Sequence, residues 1–350
     1  MCLFAHLGNW RSVDITRVKM RVTICGGGNI AHALAAVLSL TDDVFIMTRR
    51  PELWARTLIY KKGYSDYCQS RELQAISDNP SVVAGASLII VAVPRFAIGD
   101  ILEKIKPYLH AEQVVSFIPA PSGCEEIAER LEKECGVEVL GFQRVPYIAR
   151  IAEYGHAVIL SDDRVVHKVA MSRSLDKRVW DDFIASRFGG RVEHLSSFFA
   201  FTFSNANPLL HPARLMVLLK KPCYDQVPLF YREWTDESSE LYVKSDREMF
   251  DVMRRYPEID LCRDYESALA HYEVETTGQL TEKIRSIPSF KDIKAPYVMR
   301  DDGKYVPDYA SRYFTEDVSY GTVYIQRLAR QVGVVTPTID MFISKIQEVL

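Results

Sequence analysis

The stretch Gly26-Gly27-Gly28-Asn29-Ile30-Ala31 constrains this chain more than any other, because of what flanks it. Val22-Thr23-Ile24-Cys25 runs directly into it as a β-rich segment, and His32-Ala33-Leu34-Ala35-Ala36 leaves it as an apolar helix. A strand that turns into a helix through G-x-G-x-x-A opens a βαβ unit of the dinucleotide-binding kind. Gly26 is expected to make the tight turn, Gly28 to let the backbone approach a pyrophosphate, and Ala31 to keep the helix close to the sheet. Asn29 and Ile30 fall within the same cofactor contact. Free N–H groups and the positive end of the helix dipole then face the phosphates. A glycine-rich loop without a ligand is the alternative, and the flanking strand and helix weigh against it.

At the end of the second expected strand, where an acidic residue would hold the ribose of NAD, the chain reads Thr48-Arg49-Arg50-Pro51. The missing carboxylate removes repulsion toward a 2′-phosphate, and Arg49 or Arg50 suits a charge-assisted clamp on it. NADP is therefore favoured, with NAD still open; a pair of solvated loop arginines is the plain alternative. Val91-Ala92-Val93-Pro94 ends a later strand, so Pro94, with Phe96, is expected to line the nicotinamide ribose.

From Met20 onward β-rich runs alternate with amphipathic stretches: strands over 21–25, 44–47, 88–93, 114–118 and 137–142, helices over 30–40 and 98–109. That pattern predicts an α/β N-terminal Rossmann domain, a doubly wound parallel sheet, over residues 20–168, with the sheet ending near 165. Long helical patterns follow at 175–188, 196–219, 237–256, 281–287, 316–332 and 339–350, and predict a helical substrate domain over 169–350. Residues 1–19 read as an extension, with no secretory signal in them. A chain of 350 residues fits two domains. A net charge of −3 supplies no global field for nucleic acid, and the apolar runs are too short to cross a membrane. Seven scattered cysteines without a C-x-x-C pair suggest neither disulfides nor a metal site, and fit a cytoplasmic setting.

The second half has two unusual strings. In Asn205-Ala206-Asn207-Pro208-Leu209-Leu210-His211-Pro212 two prolines interrupt a hydrophobic helix around His211, and a histidine at such a break can present its ring to a cleft. Such a histidine is more often packed or a cap. In Arg312-Tyr313-Phe314-Thr315-Glu316-Asp317-Val318-Ser319-Tyr320-Gly321, Thr315 is expected to cap the following helix with Glu316 and Asp317 in its first turn. That account alone gives Asp317 no functional role.

The GGGNIAHALA opening, NPLLHP, and RYFTEDVSYG followed by a helix and Val335-Thr336-Pro337 together resemble the opine dehydrogenase family over roughly residues 20 to 350. The resemblance implies a Rossmann domain for the nicotinamide cofactor and an all-helical C-terminal domain for the substrates. It implies joining an amino acid to a 2-oxo acid, with reduction of the imine to a secondary amine. Carried over, His211 resembles the catalytic histidine, Asp317 its carboxylate partner, and Arg312 an anchor for a substrate carboxylate. Arg144 is a candidate substrate contact that domain packing explains equally well. Asn207, with Asn205, suits a substrate carboxylate or the nicotinamide amide, and suits a helix cap as well. Ile118-Pro119-Ala120-Pro121 departs from the direct Pro-Gly expected of the family at that loop. The partners implied are small molecules, not nucleic acid or membrane, and a homodimer is compatible with the apolar helices. A ketopantoate reductase or glycerol-3-phosphate dehydrogenase-like reductase, and a non-catalytic NADP-binding sensor, are the competing readings.

Overall fold

The computed structural model describes residues 19–63 and 65–348, so all of the expected N-terminal extension except Lys19 lies outside the described residues. The chain divides into two units, one ending at Phe201 and the other beginning at Thr202.

In the first unit β1 (Arg21–Cys25), α1 (Asn29–Leu38) and β2 (Asp43–Met47) form a parallel βαβ unit. There follow β3 (Ile59–Lys62), β4 (Tyr67–Gln69), β5 (Ala75–Ser77), β6 (Leu88–Val91), α2 (Arg95–Ile105), β7 (Val114–Phe117), α3 (Cys124–Cys135) and β8 (Glu138–Phe142). The unit is completed by β9 (Tyr147–Glu153), β10 (Ala157–Asp163), β11 (Val166–Met171), α4 (Lys177–Phe188) and β12 (Arg191–His194). An eight-stranded sheet runs in the order β12-β11-β8-β7-β6-β1-β2-β5. β6 and β7 are buried at every position, as continuous apolar runs require of strands covered on both faces. β2 and β5 build outward from one side of β1, and β6, β7 and β8 from the other. The topological switch point therefore lies between β1 and β6, where the loops of Gly26 and Pro94 begin.

The sheet is mixed rather than all parallel, because β11 runs antiparallel to β8. Nor does the first unit stop at 168. β11 pairs with β12 in parallel, α4 crosses between them, and its Trp180, Phe183, Ile184 and Phe188 are buried in one core with Ile24 and Leu34. A helical period over 175–188 identifies a helix but not the core that its apolar face joins.

A separate sheet, β4-β3-β10-β9, has little sequence signature, since β4 is exposed throughout and β3 largely polar. It packs on α1. Asn29 Oδ1 accepts the Ile151 N–H at 2.8 Å, and His32 Nε2 accepts the Gly155 N–H at 2.8 Å.

α5 (Phe199–Phe203) spans the boundary, and the second unit continues with α6 (Asn207–Leu218), α7 (Asp236–Met253), α8 (Leu261–Asp264), α9 (Ala268–His271) and α10 (Thr277–Ser286). A hairpin of β13 (Tyr297–Met299) and β14 (Tyr305–Pro307), a π-helix at Tyr313–Thr322, α11 (Val323–Gln331) and α12 (Pro337–Gln347) close it. The unit is mostly helical, not all-helical. Caps explain where the long helices begin: Thr235 accepts the Ser238 N–H before α7, and Thr276 and Gln279 form a capping box before α10. The helix expected over 196–219 is broken between α5 and α6, and that expected over 316–332 begins at Tyr313 as a π-helix. Residues 349 and 350 of the last expected helix lie outside the described residues. No helix among the described residues is long and apolar enough to cross a membrane.

Candidate active site

The glycine loop has the shape that a dinucleotide needs. Gly26 has φ +149°, and a Cβ there would stand 2.5 Å from the Ala92 carbonyl oxygen just after β6, so no other residue fits the turn between β1 and α1. A Cβ on Gly28 would project into open space, leaving room for a phosphate over the start of α1. That helix has no side-chain cap and no acid in its first turn, which leaves its positive end for an anion. Ala31 is buried against the sheet, in the packing role expected of it, and Ile30 is half-buried beside the same core. Asn29 Oδ1 accepts the Ile151 N–H, which leaves its Nδ2 donors and its backbone N–H at the start of α1 for a cofactor.

At the end of β2, Thr48 is buried while Arg49 and Arg50 are exposed. Tyr154, from the turn between β9 and β10, reaches over this corner, and a Cβ on Gly27 would meet its hydroxyl at 2.6 Å and Thr48 Oγ1 at 2.9 Å. The Arg50 guanidinium lies over the Tyr154 ring, 4.3 Å from its centroid. Burial raises the Tyr154 phenol, but hydrogen bonds to Thr48, Trp54 and Arg50 and the Arg50 charge outweigh it, so the net shift is downward. Pro94 is exposed at the start of α2, next to Phe96, which is 60 % exposed. Burial pushes the Cys25 thiol, beside the loop, up to about 12, so it is no nucleophile.

In the second unit the structure brings His211 and Asp317 together. His211 Nδ1 lies 2.8 Å from Asp317 Oδ2, with the two residues 5 % and 4 % exposed. An ionised carboxylate only accepts, so Nδ1 carries the proton and Nε2 the lone pair. Nε2 in turn receives the Tyr231 hydroxyl at 2.8 Å. The Tyr313 ring packs on the imidazole with centroids 4.5 Å apart, and Phe230 meets it edge-on. Arg312, exposed at the start of the π-helix, is close enough for its charge to act on both Tyr231 and Tyr313. No ion pair engages it among the described residues.

The local folding behind this pair is explicit. Pro212 has no N–H, so the carbonyl of Pro208, four residues earlier in α6, loses its helical donor. Thr322 Oγ1 fills the gap at 2.6 Å. The same contact seats Gly321 against Pro208, where a Cβ would come within 2.4 Å of the proline ring. Asp317 therefore sits in the middle of a π-helix rather than in the first turn of an α-helix, and Thr315 caps nothing: its hydroxyl donates to the Ser311 carbonyl. π-Helical turns concentrate at functional sites.

Neither asparagine is the N-cap of α6, which is Ala206; Asn205 Oδ1 accepts the Asn207 N–H at 3.2 Å. Asn207 is half-buried at the first position of α6. Arg144 is exposed in the first unit, after β8, in a different unit from the His211–Asp317 pair. Tyr154 and Tyr231 carry no local sequence signal; Tyr231 stands in Phe230-Tyr231-Arg232-Glu233-Trp234, which reads as core. No group of three or more His, Cys, Asp or Glu side chains is placed to hold a metal among the described residues.

Known proteins resemble the chain in the same two parts. Residues 194–350 match the family described as NAD/NADP octopine/nopaline dehydrogenase, alpha-helical domain, and residues 21–149 match the NAD-dependent glycerol-3-phosphate dehydrogenase N-terminus. Tauropine dehydrogenase of Arabella iricolor is 27 % identical, the match covering 94 % of this chain and 91 % of the relative. Opine dehydrogenase of Haliotis discus hannai is 28 % identical, over 95 % of this chain and 90 % of that one. A solved octopine dehydrogenase with NADH and L-arginine superposes with a TM-score of 0.83 at 22 % identity, covering 94 % of this chain and 89 % of its own. With the Rossmann fold, the helical domain and the buried His211–Asp317 pair in place, residues 194–350 belong to the octopine/nopaline dehydrogenase helical-domain family, and the chain as a whole is similar to opine dehydrogenases along nearly its full length.

Proposed function

We propose that this protein catalyses the NADPH-dependent reductive condensation of an amino acid with a 2-oxo acid to an N-(carboxyalkyl)amino acid, and the reverse reaction. The buried His211–Asp317 pair beside Arg312 carries the reading. The bound dinucleotide supplies the hydride or takes it up. In the oxidative direction a secondary amine must give up a proton, and an imidazole held by a carboxylate is the group suited to take it. Asp317 holds the ring in one tautomer and balances the imidazolium that forms. Arg312, with no competing ion pair among the described residues, has the fork geometry to hold a substrate carboxylate in one orientation.

NADP is preferred because the Arg50 guanidinium lies over the Tyr154 ring at the end of β2, where the chain reads Thr48-Arg49-Arg50 in place of an acidic residue that would repel a 2′-phosphate. Replacing Arg50 with Ala is expected to weaken NADPH about tenfold or more, the worth of one charge-assisted hydrogen bond at roughly 1.5–3 kcal/mol, and to leave NADH nearly unchanged. Equal losses for both cofactors would remove the preference.

The deciding experiment is NADPH oxidation with glycine, L-alanine, L-arginine and taurine, each paired with pyruvate or another 2-oxo acid, against oxo-acid-only and NADH controls. Turnover that requires both substrates is expected. Turnover on the oxo acid alone would overturn the reading in favour of a hydroxy-acid reductase. His211→Ala is expected to lower kcat by about 100-fold or more, the usual worth of a general acid–base, with NADPH affinity intact by fluorescence titration.

A further inference from the structure

We infer that Tyr231 is the outlet through which His211 exchanges its proton with the substrate. The inference rests on the proposed function, since it gives His211 the role of base. Nδ1 of the ring is taken by Asp317, so Nε2 is the nitrogen available for chemistry, and its partner at 2.8 Å is the Tyr231 hydroxyl. Histidine, carboxylate and tyrosine are all buried, Tyr231 at 6 % exposure. A proton reaching Nε2 therefore passes the phenol oxygen or waits for the phenol to leave.

The phenol is not built to leave. Its ring stacks on Phe290 with centroids 4.1 Å apart and planes 20° apart, and lies nearly parallel to Trp234 on a second contact. The neighbouring backbone is held as well: Arg214, one turn after His211 on α6, donates its Nε–H to the Phe230 carbonyl at 2.9 Å. The helix that carries the histidine thus also anchors the segment that carries the tyrosine. The charged and titratable groups acting on the phenol are Tyr313, Tyr272 and Asp317, which disfavour its ionisation, and Arg312, which opposes them. Burial is the largest influence and raises the phenol far above its ordinary value, so Tyr231 stays a protonated donor across the working pH range.

The step balances as two linked proton transfers. The substrate ammonium N–H bond breaks and leaves its electron pair on nitrogen, and its proton goes to Tyr231 Oη. The original Oη–H proton goes to His211 Nε2. Tyrosine ends neutral, and the imidazolium is faced by Asp317. In the reductive direction the same two protons move back.

The test compares the intact protein with Tyr231→Phe and His211→Asn, using pyruvate with whichever of the four amines above gives turnover. Rates are followed in H2O–D2O mixtures under single-turnover conditions. The unmodified protein is expected to give a curved proton inventory, as two moving protons require. Tyr231→Phe is expected to lose about 100-fold in kcat, to keep its KM values within a few-fold, and to retain a folded circular dichroism spectrum and NADPH affinity. A tyrosine that only packs would lower activity without altering curvature. Wild-type kcat in Tyr231→Phe, or a linear inventory in the unmodified protein, would overturn the relay while leaving His211 as base, provided His211→Asn is inactive. An active His211→Asn, or no turnover by the unmodified protein with any pair, would overturn the underlying reading and the relay with it. As a second measure, 15N NMR of the His211 ring is expected to show an Nδ1–H tautomer whose Nε2 resonance shifts in Tyr231→Phe; an unchanged Nε2 resonance would also overturn the relay.

Discussion

Both ring nitrogens of His32 are committed: Nδ1 lies 2.9 Å from the Gly28 carbonyl oxygen, and Nε2 accepts the Gly155 N–H. The accepting nitrogen must be unprotonated, so the ring is neutral with its proton on Nδ1, donated to the loop that is to hold the phosphates. Its packing against Trp54, with ring centroids 4.1 Å apart, buries it further. Burial accordingly pulls its pKa below the ordinary 6.5, and the bond to Gly28 only partly opposes this. The sign of the consequence follows from proton uptake. As pH falls below about 6.5 the unfolded chain binds a proton that the folded unit refuses, so stability declines until the lowered native pKa is reached. His167, also lowered by burial, adds in the same direction. Urea unfolding from pH 7.5 to 5 should show this loss, and His32→Gln should flatten part of it; an identical slope in the variant would deny His32 its share.

At the level of the helices, the functional pair depends on a repair. A proline inside α6 leaves the Pro208 carbonyl without its helical N–H, and a threonine at the end of the π-helix supplies the donor from outside. Thr322→Val keeps the shape and removes the hydroxyl, leaving a buried carbonyl unsatisfied at a cost of about 1–3 kcal/mol. Thr322→Ser should recover most of it. Pro212→Ala restores the backbone N–H, so the double variant Pro212→Ala with Thr322→Val should be more stable than the sum of the single effects predicts. Strict additivity in thermal unfolding would show that Thr322 acts elsewhere. Because this bond ties α6 to the turn bearing Asp317, Thr322→Val is also expected to lower kcat more than it raises KM.

The first unit is closed by one buried ion pair. Arg187 near the end of α4 donates to both oxygens of Asp42, at 2.9 and 3.0 Å, with side-chain exposures of 3 % and 0 %. Asp42 Oδ1 also accepts the Met20 N–H at the entry to β1. The late helix is thereby joined to Asp42, 145 residues earlier in the chain, and through Asp42 to the entry of the first strand. Arg187→Met removes one charge and strands the other, which is expected to cost about 3–5 kcal/mol. Hydrogen exchange should report the loss in peptides from β1, α1 and α4 together. Loss confined to α4 would mean that the pair staples a helix end and no more.

The strand–glycine–helix opening, the helical period of the second half and the order of the strings around His211 and Asp317 were all legible in the chain, because each is a local pattern set by backbone geometry. Periodicity also located α4, but not its membership of the first unit, since a period reports a face and not what covers it. The second sheet escaped for the same reason: β3 and β4 bury too little to leave an alternation. His211 could be singled out by its prolines and Asp317 only by resemblance. Their 2.8 Å contact, the π-helical winding that permits it, and the tyrosines over Gly27 and His211 arise from residues 20 to more than 120 positions apart. Contacts of that span are decided by how apolar faces and orphaned polar groups find partners on folding, and no local spacing in the chain encodes them.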